Sequence, residues 1–136
     1  MTAELYLEQF AFYEQKIEDK IAEIQRLEAL SQDVSPHLTD IKVKSSPNPH
    51  QMQGVWARLI DARDELSKDV DNLIDLEIEI RHNLKKLSPL EHDVLVGIYI
   101  HHHSVQKIAK QKNYTRQAIY VIKERALEKL QKILNS

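Results

Sequence analysis

Residues 104–130 read SVQKIAKQKNYTRQAIYVIKERALEKL, and the punctuation of this stretch decides the fold. Ser104 and Thr115 each place a side-chain oxygen just ahead of a run of helical periodicity, the position of an N-cap. Between them Asn113 can take the left-handed conformation that ends a helix and turns the chain. The spacing predicts a short helix from Val105 to about Lys112, with Ile108 and Ala109 inward. A longer one follows Thr115, with Ile119, Ile122, Ala126, Leu127, Leu130 and Ile133 inward. Upstream, Ser88-Pro89-Leu90-Glu91 combines an N-cap serine, a proline at the first helical position and a glutamate three residues after the serine. That capping box starts another helix, with Leu90, Val94, Leu95, Ile98 and Tyr99 inward, ending near His101 to His103.

Working back towards the N-terminus, Tyr6, Phe10, Tyr13, Ile17, Ile21, Ile24 and Leu27 recur every three or four residues and make one helical stripe. A second stripe runs from about Gln51 to Lys86, where Leu59, Leu66, Leu73, Ile80 and Leu87 keep a seven-residue interval, the seam of a coiled coil. Residues 31–50 carry Pro36, Pro47 and Pro49 among Ser, Asn and Asp, so a loop is expected there. The expectation is an all-α chain: a long coiled-coil-like helical hairpin over 1–87, then a helix-turn-helix domain over 88–136. A hairpin alone buries little apolar surface. Its remaining face is expected either to form a homodimer or to pack on the C-terminal domain.

Composition closes several classes of function. Without cysteine there is no disulfide framework, thiolate zinc site or cysteine nucleophile. No run of 18 apolar residues and no signal-peptide pattern occurs, so no membrane partner and a cytoplasmic location are expected. Three consecutive histidines, His101 to His103, diverge by about 100° each on a helix and cannot converge on one ion; they suit a helix C-terminus. Carboxylates such as Asp61, Asp64, Glu65, Asp69 and Asp71 alternate with Lys and Arg along one helix as a solvated face. No phosphate loop, nucleophile elbow or metal motif is present, so neither catalysis nor a cofactor is expected.

Charge is divided unevenly. Residues 1–87 hold 11 Lys+Arg against 17 Asp+Glu, a net of −6, whereas residues 88–136 hold 8 against 4, a net of +4. Phosphate contacts by Lys and Arg supply most non-specific nucleic-acid affinity, so the C-terminal part is the one suited to a polyanion. A short helix, a tight turn and a longer basic helix are the order of a helix-turn-helix, whose second helix enters the major groove of double-stranded DNA. Arg116 can grip a guanine edge and Gln117 an adenine edge, while Tyr120, Lys123 and Lys129 suit phosphate, sugar or a thymine methyl. Thr115 and the free N–H groups behind it suit phosphate, and Ser104, Gln106 and Lys107 are expected over the adjacent backbone.

The succession Leu87-Ser88-Pro89-Leu90-Glu91, Ser104-Val105-Gln106-Lys107-Ile108-Ala109, Thr115-Arg116-Gln117-Ala118-Ile119 and Arg125-Ala126-Leu127-Glu128-Lys129-Leu130 resembles region four of bacterial sigma factors. The resemblance places Arg116 and Gln117 where that family reads bases and Arg125 near the DNA backbone. It also implies RNA polymerase as a further partner. Tyr120 and Val121 stand where sigma factors carry Arg and Gln, and nothing in residues 1–87 is similar to the promoter-opening regions, so the resemblance does not extend to a complete sigma factor. The whole layout is similar to small sigma-like proteins of phages and prophages of Gram-positive bacteria, among them ArpU-type late regulators. The expectation is a sequence-specific DNA-binding transcriptional regulator. The alternatives are a polymerase- or regulator-binding protein that does not read DNA, and a small-terminase-like packaging component, whose usual domain order is the reverse.

Overall fold

In a computed structural model, the structure describes the backbone of residues 1–41 and 49–136, and side chains within 1–31 and 54–136. All described elements are helical: α1 (Ala3–Ile41), α2 (Pro49–Leu84), α3 (Pro89–Leu95) continuing into a π-helical turn (Val96–Ile100), α4 (Val105–Lys112) and α5 (Arg116–Asn135). The all-α expectation holds. The loop expected over 31–50 is corrected at both ends, since α1 runs on to Ile41 and α2 begins at Pro49. Pro36 gives up one backbone donor within a 39-residue helix, and Pro49 sits at a helix start, where a missing N–H costs nothing. The rest of that expected loop, 42–48, lies outside the described residues.

The chain divides into two compact units, and the division does not fall at residues 87 and 88. One unit joins Met1–Glu14 with Leu73–Ser136; the other is Gln15–Asn72. In the first, Ala3, Tyr6, Leu7 and Phe10 of α1 and Ile80, Leu84 and Leu87 share a core with Leu95, Val96, Tyr99, Ile100, Ala126, Leu127 and Leu130. Three short helices bury too little by themselves, and the ends of α1 and α2 supply the missing apolar surface. The Tyr6 hydroxyl ties these ends together, donating to Glu79 at 2.9 Å and accepting from Asn83 at 3.0 Å. The Gln131 carboxamide accepts from Ala3 N at 2.7 Å and donates to Met1 O at 3.3 Å.

The second unit is an antiparallel pair. Ile24 and Leu27 of α1 bury against Leu59 and Ala62 of α2, with Leu66 beside them. Ion pairs run in descending register along it, Lys16 to Asp69 at 3.6 Å, Lys20 to Glu65, and Glu28 to Arg63 at 3.3 Å. Hydrogen bonds to Glu65 and Glu23 push Lys20 up to about 12. Exposed pairs of this kind contribute at most about 1 kcal/mol each. Ile21, Leu30, Trp56 and Ile60 remain exposed on this unit.

Candidate nucleic-acid interface

The helix-turn-helix is assembled by its caps. The Ser88 hydroxyl accepts from Glu91 N at 3.3 Å while Glu91 Oε1 accepts from Ser88 N at 3.2 Å, closing the capping box at the head of α3. Ser104 is extended at ψ 155° and its hydroxyl accepts from Lys107 N at 3.1 Å. Asn113 ends α4 in the left-handed region at φ 61°, which lets Tyr114 N bond back to Ala109 O at 2.9 Å. One residue later the Thr115 hydroxyl accepts from Ala118 N at 3.1 Å and α5 begins. Val94, Ile108, Ala109 and Ile119, one or two from each of α3, α4 and α5, form the small core that fixes the turn.

The π-helical turn precedes this pair. His101 N donates to Val96 O, five residues back, at 3.0 Å, and His103 N donates to Gly97 O at 2.8 Å. Gly97 permits the close approach of α4: a Cβ there would stand 3.0 Å from Ile108 Cδ1. The three histidines end the helix, as their position implies. His102 turns the chain at φ 57° and its Nε2 lies 2.6 Å from Glu14 Oε1. Among the described residues no three His, Asp or Glu side chains are grouped to hold a metal ion.

Most of the expected contact residues are exposed. Ser104, Gln106 and Lys107 stand at the head of α4, and Thr115, Arg116, Gln117 and Tyr120 at the head of α5. Arg125 is exposed further along, in a shallow cleft with Tyr120, Val121, Glu124 and Glu128. Two expected members are engaged elsewhere. Lys123 is half-buried, its Nζ 6.0 Å from the centre of the Tyr99 ring. Lys129 Nζ lies 3.0 Å from Glu91, a carboxylate only 5% exposed. Burial pushes Glu91 up, but the hydrogen bonds from Lys129 and Ser88 outweigh it and hold the group below its ordinary value.

Val121, 55% exposed, is a surface residue that the inward periodicity left unassigned. A signal for it existed, because Val121 lies two residues, about 200°, around the helix from the buried Ile119. Glu124 and Glu128 share that outward side with the exposed Arg125 and Lys132.

Residues 83–132 match the family model of sigma-70, region 4. The matched stretch spans α3, the π-helical turn, α4 and most of α5, so the C-terminal helix-turn-helix is of the sigma region-four type, a DNA-binding fold. No curated protein and no solved structure matches the chain. Among the described residues no helix is long and apolar enough to cross a membrane.

Proposed function

We propose that this chain is a sequence-specific DNA-binding transcriptional regulator that works in the cytoplasm and is encoded by a phage or prophage. The observation that carries the reading is the head of α5: a Thr115 cap, free N–H groups behind it, and Arg116 and Gln117 exposed at the first turn of a region-four-type recognition helix. Arg116, Gln117 and Tyr120 read the major groove. Ser104, Gln106, Lys107 and Thr115 hold the phosphates on either side, and Arg125 reaches the flanking backbone. Lys123 and Lys129 position α5 on α3 through Tyr99 and Glu91. The phage assignment rests on the layout of the chain, a long acidic helical part followed by a region-four-like module.

The protein acts as a dimer through Gln15–Asn72, whose own core has four buried side chains among the described residues and which leaves Trp56, Ile60, Ile21 and Leu30 exposed. Selection of bound sequences from a random duplex library at fixed salt tests the reading. An enriched motif is expected, and a two-fold symmetric one if two recognition helices act together. Absence of salt-dependent binding to any duplex would sink it.

A second reading, a protein that binds polymerase or another regulator, is favoured by one observation: beyond its first turn the outward face of α5 carries an exposed Val121 and the carboxylates Glu124 and Glu128 beside Arg125.

A further inference from the structure

The outward side of α5 is grooved. One cleft, of about 380 Å³, is walled by Tyr120, Val121, Glu124, Arg125 and Glu128. A second, of about 250 Å³, lies between α5 and the start of α1, where Glu4, Leu127 and Gln131 join the same Glu124 and Glu128. The two clefts therefore share a wall and follow α5 for about two turns. Tyr120 and Val121 offer apolar surface in the first, at 52% and 55% exposure.

The rim is net acidic, three carboxylates against one guanidinium. Among the described residues Glu4, Glu124 and Glu128 have no cation within ion-pair distance, and the cation in the lining is Arg125. The field is felt inside the fold. Tyr99, 8% exposed, keeps a hydroxyl with no hydrogen-bond partner among the described residues, and burial, then the charges of Glu4, Glu8 and Glu124, push that hydroxyl well above its ordinary value.

A duplex is a poor occupant for the acidic part of this surface, because Glu4, Glu124 and Glu128 outnumber Arg125 there and repel phosphates. The walls of the surface share Tyr120 and Arg125 with the side chains proposed to contact DNA, while Glu4, Val121, Glu124, Leu127, Glu128 and Gln131 are outside that set.

We infer that the groove between α5 and the start of α1 docks a Lys- or Arg-rich amphipathic helix of a protein partner. Its apolar side chains cover Val121 and Tyr120. Its cations, one turn apart, meet Glu124 and Glu128, which are themselves one turn apart, with Glu4 closing the far side. Helix-in-groove recognition uses this combination of apolar anchors and periodic charge.

Fluorescence anisotropy on the full chain tests the inference. The probe is a labelled Leu/Lys amphipathic peptide of about 18 residues, long enough to be helical, and the control replaces its Lys by Glu. The Lys peptide is expected to bind and the Glu peptide not. The triple variant Glu4→Gln/Glu124→Gln/Glu128→Gln is expected to lose roughly tenfold, through the charge pairs it removes. Val121→Ser is expected to weaken binding as well, and Arg116→Ala to leave it unchanged. Equal binding by the triple variant overturns the inference. So does a changed base preference of that variant in duplex selection, which would mean that the carboxylates face DNA. Dissociation of a wild-type dimer by the triple variant would put a second copy in the groove and overturn it too. Failure of the wild type to bind any duplex would sink the DNA-reading function and leave the peptide result standing.

Discussion

Lys129 on α5 reaches Glu91 on α3 at 3.0 Å, and Glu91 in turn caps the helix it begins. A cation on the outside of the basic helix thus acts on the fold. Lys129→Ala is expected to lower stability by about 1 to 2 kcal/mol, the order of a charged hydrogen bond with one partner half-exposed. Sequence-specific DNA affinity, measured at a temperature where the variant stays folded, is expected to change far less than in Arg116→Ala. Thermal melts beside binding isotherms check both.

Acid should loosen the same place. Glu91 and Asp93 titrate below their ordinary values of 4.5 and 3.8 in the folded chain, Glu91 because hydrogen bonds outweigh burial and Asp93 through hydrogen bonds from Lys112 and His92. A depressed folded value means that stability is fully present above the ordinary value and is lost as pH falls through the folded one. Melting temperature is therefore expected to hold steady down to the ordinary carboxylate values and to drop below them. Glu91→Gln should flatten part of that drop; a melt series over pH at constant salt decides it.

Base readers and backbone holders should separate in binding assays. Arg116→Ala and Gln117→Ala are expected to cost about 1 to 3 kcal/mol each on the selected site and to relax preference at one position. Lys107→Ala should weaken all duplexes alike and reduce the salt slope by about one. If all three variants weakened selected and random duplexes equally, Arg116 and Gln117 would not be reading bases.

Two backbone positions constrain the turn. Asn113 holds φ 61°, so Asn113→Val is expected to destabilise by about 1 to 2 kcal/mol, whereas Asn113→Gly should be tolerated. Gly97→Val would drive a side chain into Ile108 and is expected to cost about 1 to 3 kcal/mol by overpacking. Denaturant unfolding gives both values.

What could be read from sequence was local chemistry. Ser88, Ser104 and Thr115 cap because each oxygen bonds an N–H three residues on, a relation contained within four residues. Asn113 announces its left-handed turn for the same reason. Lys123 and Lys129 were legible only as outward or inward by periodicity; their partners Tyr99 and Glu91 belong to another helix, and no spacing names a tertiary neighbour. The same limit hid the junction of α1 with α5, where Gln131 holds Ala3. The prolines of 31–50 argued for a loop because proline is costly inside helices in general. A single lost donor did not stop α1 at Pro36.

The wide turn at Val96–Ile100 holds one residue more than an ordinary helical turn, with His101 bonding back five residues instead of four. The chain can therefore lose one residue there and close into a regular α-turn with the flanking faces kept. A deletion inside α5 has no such slack, and every later side chain would swing by about 100°. Tolerance of shortened variants should thus be concentrated in five residues of a helix whose interior would otherwise forbid them.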